Sequence, residues 1–156
     1  MGDSQENSGI LEITHNGELL AIVVSGSYSA SGIRFLTPPN LTQQLGYMAH
    51  PTGYEIVPHI HNAVERLVHY TQEVLVLRKG RLRVDFFLGD KTYFRSCVLQ
   101  AGDIIVLVSA GHGFHVLQDV EMFEIKQGPY VGDIDKTRFQ SITASEVKLS
   151  ESYQQS

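Results

Sequence analysis

Residues 73–108 read EVLVLRKGRLRVDFFLGDKTYFRSCVLQAGDIIVLV, and their pattern decides the fold. In RLRVDFF, Leu82, Val84 and Phe86 alternate with Arg81, Arg83 and Asp85. A period of two is what a half-buried antiparallel strand requires, and it puts the arginines on a polar face. IIVLV is continuously apolar, as in a strand covered on both sides. Turn signals stand at Lys79–Gly80, Gly89–Asp90 and Ala101–Gly102, so the stretch divides into several short strands. FHVLQDVEMFEIKQG, from Phe114 to Gly128, continues as a further pair.

Working outward, ELLAIVVSGS reads as a strand running into a loop from Ser25, and GIRFLTPPN as a strand stopped by Pro38–Pro39. GYMAHPTGYEIVPHIH reads as two strands around a Pro51–Thr52–Gly53 turn. Only NAVERLVHYTQ, and weakly SITASEVKLSES, carry a helical pattern. Many short strands with little helix predict one all-β domain, a sandwich or barrel, with a double-sheet jelly roll as a common solution. Residues 1–10 and 141–156 flank it as polar tails, and 11–140 form the domain.

Composition narrows the function classes. The chain has 156 residues, 42% apolar and 19% charged, the balance of a soluble globular domain. A net charge of −5 with no basic patch argues against nucleic acid. The single cysteine, Cys97, excludes an intrachain disulfide and fits a reducing, cytoplasmic setting. The N-terminal residues lack a signal-peptide pattern, and no apolar run is long enough for a membrane helix. Apolar strands such as IIVLV need their outer face covered, which makes a homodimer the expected partner state.

Three separated places carry candidate chemistry. His59 and His61, at i and i+2, would project from one face of a strand as a bidentate imidazole pair; taken alone, HIH also describes a polar strand face. Glu73 shares a face with Leu75 and Leu77, so it points inward if they do, and an inward carboxylate needs a partner. Its alternative is a strand start with the carboxylate in water. In SAGHGFHVLQD, His112 and His115 point to opposite faces, so a regular strand offers only one of them. Lys126 and Gln127 close a strand where they could reach a ligand, although a plain strand end reads the same. His69 and Tyr70 could belong to a lid, and Cys97 reads as a buried small hydrophobe.

These motifs resemble those of the cupin superfamily, G(X)5HXH(X)3–4E(X)6G and G(X)5PXG(X)2H(X)3N. Gly53 stands six residues before His59, and Glu73 lies seven before Gly80. The departures are equally specific. Eleven residues separate His61 from Glu73, so residues 62–72 read as an insertion, with Glu65 the runner-up to Glu73. In the second motif the turn before His112 is one residue short and Val116 fills the asparagine slot. The resemblance spans residues 45–127 and implies a double-stranded β-helix barrel. It implies one divalent transition metal, Fe, Mn, Ni, Co or Zn, held by His59, His61, Glu73 and His112, with His115 as the substitute for the last. The activity implied is a metal-dependent oxygenase or isomerase acting on a small polar molecule. A metal-independent sugar-nucleotide epimerase or ketoisomerase, or a non-catalytic binding module, is the alternative. The fold alone names no reaction.

Overall fold

The computed structural model describes residues 9–150. Eight strands follow in chain order: β1 (Ile10–His15), β2 (Glu18–Val24), β3 (Gly32–Phe35), β4 (Gly46–Ala49), β5 (Glu73–Phe87), β6 (Tyr93–Gln100), β7 (Ile104–Leu107) and β8 (Gly111–Lys126). The helical segments among the described residues are two short 3-10 turns, Gly132–Asp135 and Ala144–Glu146. Among the described residues no helix is long and apolar enough to cross a membrane. All pairings between named strands are antiparallel, and the main sheet runs β1-β2-β7-β5-β6 with β8 on the other side of β5. β3 and β4 form a separate two-stranded sheet.

The organising element is the ribbon of β5 and β8. Leu75 and Leu77 enter the main core, and so do Leu82, Val84 and Phe86. Odd positions point inward before Gly80 and even positions after it. That switch requires an irregularity, because a regular strand keeps one parity on one face. The ladder to β8 slips between Leu77 and Leu82 to supply it. Gly80 lies at φ +83° with its Cα so close to the Gln118 and Asp119 carbonyls that a Cβ would collide with them. The Lys79–Gly80 signal therefore marks a bend inside one long strand, where a turn between two strands was expected. At the bend β5 also changes neighbours on its other edge, from β7 to β6.

The curl is large. Phe86 pairs with His112, and a straight strand would hold Glu73 about 40 Å from that point. Glu73 and His112 instead touch, so the ribbon rolls up until its ends meet, and the sheet is a curled half-barrel. Its concave core gathers Ile13, Leu20, Ala21, Val23, Cys97, Leu99, Ile105 and Leu107. Ile22, Val24, Val74, Val106 and Val108 form a second cluster on the opposite face. The apolar run IIVLV is thus covered on both sides, as its composition predicts. Cys97 is buried, and burial pushes its thiol up to about 12.

Several expectations are overturned. Residues 114–128 do not form a pair of strands; Phe114–Lys126 belongs to the single strand β8. GYEIVPHIH is not a strand and NAVERLVHYTQ is not a helix: Pro51–Thr71 carries no regular structure beyond a turn at Thr52–Gly53, and every residue of it is exposed. The helical pattern of that segment lacks a body to bury its apolar stripe, and short helices gain most of their stability from such packing. SITASEVKLSES yields one 3-10 turn and one bridge, Ser96 to Leu149, while its last two residues lie outside the described residues. Of the expected polar tails 1–10 and 141–156, residues 1–8 and 151–156 lie outside the described residues, whereas β1 begins at Ile10 and residues 144–149 carry the 3-10 turn and the bridge.

Arg83 and Asp85 correct a further reading. They face away from the main core yet are 9% and 1% exposed. Arg83 donates from Nε and from a terminal nitrogen to the two carboxylate oxygens of Asp85, at 2.7 and 3.0 Å. The Ser96 hydroxyl donates to the same carboxylate. The C-terminal segment pairs along β6 beside them, through the Ser96 N–H to Lys148 carbonyl and Ser150 N–H to Ser96 carbonyl bonds and a parallel bridge of Leu149 to Ser96. The expected polar face holds a buried ion pair, with a C-terminal strap on the neighbouring edge of the sheet.

Candidate functional site

Glu73 opens β5 and is 5% exposed, on the face of Leu75 and Leu77. The inward reading of this residue is the one the fold realises. Its Oε2 lies 3.0 Å from Nε2 of His112, the second residue of β8. Burial raises the cost of the carboxylate charge, but the hydrogen bond with His112 outweighs it and holds Glu73 below the ordinary carboxylate range. The charge of His112, a hydrogen bond with Glu124 and the charge of Lys136 act in the same direction. Glu124 stands across the ladder from Leu75, and Lys126, paired with Glu73, has its Nζ 3.8 Å from Glu124. The His112 ring also lies 5.3 Å from that of Phe114, its neighbour on the same face. The result is a buried carboxylate and a part-exposed imidazole at the seam of the half-barrel.

His115 pairs with Arg83 and is exposed, on the face opposite His112. The parity argument thus separates the two histidines, and His112 is the one beside Glu73. His59 and His61 sit in the exposed segment with ring centroids 5.2 Å apart, and His59 Nδ1 lies 3.0 Å from the Val57 carbonyl. Glu65 is exposed in the same segment. The four proposed ligands therefore stand as two pairs. Among the described residues no group of three or more His, Cys, Asp or Glu is placed to hold a metal ion.

A buried amide cluster tethers the end of the exposed segment beside Glu73. The Gln72 side chain accepts from Thr42 Oγ1 at 3.2 Å and Gln43 N at 3.0 Å, and donates to the Val108 carbonyl at 3.3 Å. Its backbone N–H donates to Gln127 Oε1 at 2.8 Å. Gln127 thus serves the scaffold, as a plain strand end would. Sequence reading passed over Gln72, because a lone glutamine carries no periodic signal. His50, at the other end, stacks on Tyr54 at 4.1 Å. His69 and Tyr70 are exposed.

No family model, no curated protein and no solved structure matches the chain.

Proposed function

We propose that the half-barrel is the wall of a small-molecule site and that Glu73 and His112 are the half of a metal centre that the sheet itself supplies. The observation that carries the reading is the 3.0 Å contact between them, made by residues from opposite ends of the ribbon. A carboxylate held ionised beside an imidazole is a donor pair suited to a divalent transition metal. His59 and His61, already side by side, are the second pair, and the chemistry of all four donors fits the cupin resemblance of the two motifs. When bound, such an ion supplies Lewis-acid polarisation of a chelating substrate. Glu73 and His112 hold their side of it, and Phe114 gives the approach an apolar flank. On this reading the chain is a metal-dependent cupin-type enzyme acting on a small polar molecule.

A second reading rests on the same contact. A carboxylate hydrogen-bonded to an imidazole orients that ring as a general base, as a metal-independent epimerase or ketoisomerase would need. Metal titration separates the two. Cobalt(II) added to chelator-treated protein is expected to bind at one equivalent per chain and raise the unfolding midpoint, because an ion bound only by the native form stabilises it. Glu73→Gln and His61→Ala are each expected to weaken cobalt binding by at least about tenfold, the loss of one ligand contact. Wild-type affinity in both variants overturns the four-ligand centre and leaves the proton-transfer pair.

A further inference from the structure

Among the described residues, neither the segment between Pro51 and Thr71 nor the outer edge of β8 has a strand partner. In the segment, Ile60 is 88% exposed, Leu67 75% and Val57 74%. Between residues 55 and 70 the side-chain hydrogen bonds are local, His59 to Val57 and Arg66 to Val64. Yet GYEIVPHIH is rich in strand formers, and its Pro58 suits an edge position where one N–H is not needed. Among the described residues β8 pairs only with β5, so its other edge, 16 residues or about 50 Å along the strand, offers a row of N–H and C=O groups without a strand partner. Phe114, Val116, Phe123 and Ile125 on it are 41–55% exposed. A segment that reads as a strand without a sheet lies in the same chain as a sheet edge without a strand.

Surface area leaves room for a second molecule to join them. The chain exposes 11274 Å², whereas a compact chain of 17.4 kDa exposes about 7,900 Å². Granting the residues outside the described range the full surface of extended chain, about 2,200 Å², leaves a surplus above the ~800 Å² each partner contributes to a standard interface. The donor segment and the acceptor edge occur once per chain, so a two-fold axis satisfies both at once.

We propose that residues 51–71 form an exchanged arm that adds to the β8 edge of a second copy, so that each metal centre combines His59 and His61 of one chain with Glu73 and His112 of the other. The ligand part of this proposal rests on the four-ligand reading above; the exchange itself does not. Because β8 carries His112, a strand added along it delivers the HIH pair to the sheet that holds the other two ligands.

Sedimentation of the full chain tests the exchange. The wild type is expected to be a dimer. Ile60→Asp with Leu67→Asp, both exposed in the single chain and therefore harmless to its folding, is expected to weaken dimerisation by at least about tenfold. A monomeric wild type, or a dimer indifferent to the two substitutions, overturns the exchange. Subunit mixing tests the composite centre. Copies carrying His59→Ala and His61→Ala are co-expressed with copies carrying Glu73→Gln and His112→Ala, under different tags, and the hybrid is titrated with cobalt(II). Each parent alone is expected to lack the cobalt absorption band, and the hybrid to recover half of the wild-type intensity. A silent hybrid from silent parents overturns the composite centre in favour of an arm folded onto its own sheet. Parents that bind cobalt like the wild type overturn the four-ligand reading, and the sedimentation result then still decides the exchange.

Discussion

At Gly80 the chain passes so close to the Asp119 carbonyl that only a hydrogen fits. The backbone there is also left-handed, so any side chain meets both a torsional and a steric penalty. Gly80→Ala is expected to cost about 3 kcal/mol or more, read as a lower urea midpoint, because the bend that lets β5 and β8 curl together cannot relax cheaply. The signal was present in the sequence in two forms. Glycine after Lys79 marks an irregularity, and the inward parity changes from Leu75 and Leu77 to Leu82 and Val84. Read as a turn, the glycine ends a strand; read with the parity change, it bends one. Arg83 and Asp85 were less legible. Opposite charges at i and i+2 describe an exposed face equally well, and the segment that pairs beside them at Ser96, residues 148–150, lies far along the chain.

The ribbon of β5 and β8 closes on a charged contact, and its strength should follow Glu73. Glu73 titrates below its ordinary value of 4.5. A depressed folded value means that the stabilising contribution is complete above about pH 4.5 and disappears as pH falls through the lower folded value. In chelator-treated protein, Glu73→Gln is therefore expected to lose about 1–2 kcal/mol at neutral pH and to show a flatter decline of stability below pH 4.5. Urea midpoints measured across that range check both parts; an unchanged acid limb would remove the contact from the account of closure. At this scale the strands with a clean period of two, or with runs such as IIVLV, were readable. The length of β8 was not, because Asp119, Glu121 and Glu124 interrupt its apolar pattern without interrupting its ladder. The absence of structure in residues 51–71 was also hidden, since strand propensity says nothing about whether a partner edge lies within reach.

For the whole molecule, the C-terminal strap is part of the fold. Truncation after Thr137 removes the segment that bonds to the backbone of Ser96, whose hydroxyl in turn holds Asp85 of the Arg83–Asp85 pair. Chains cut there are expected to lose about 2–4 kcal/mol, measured by thermal or urea unfolding, because a buried ion pair opened to partial solvation loses its hydrogen-bonded setting. Of the candidate site, face parity gave the carboxylate an inward reading tied to Leu75 and Leu77 and showed that only one of His112 and His115 can join it; the preference for His112 came from the motif resemblance. How the two histidine pairs meet followed from neither, because it depends on where an extended segment finds its edge.

The sheet order has a consequence for how the chain is made. β2 finds its second neighbour in β7, and β5 finds its full-length neighbour only in β8. A ribosome releasing this chain from its N-terminus therefore exposes the β1–β2 hairpin long before anything can cover it. The half-barrel assembles late and from non-local pairings, the class of topology that folds slowly and leaves naked strand borders in the meantime.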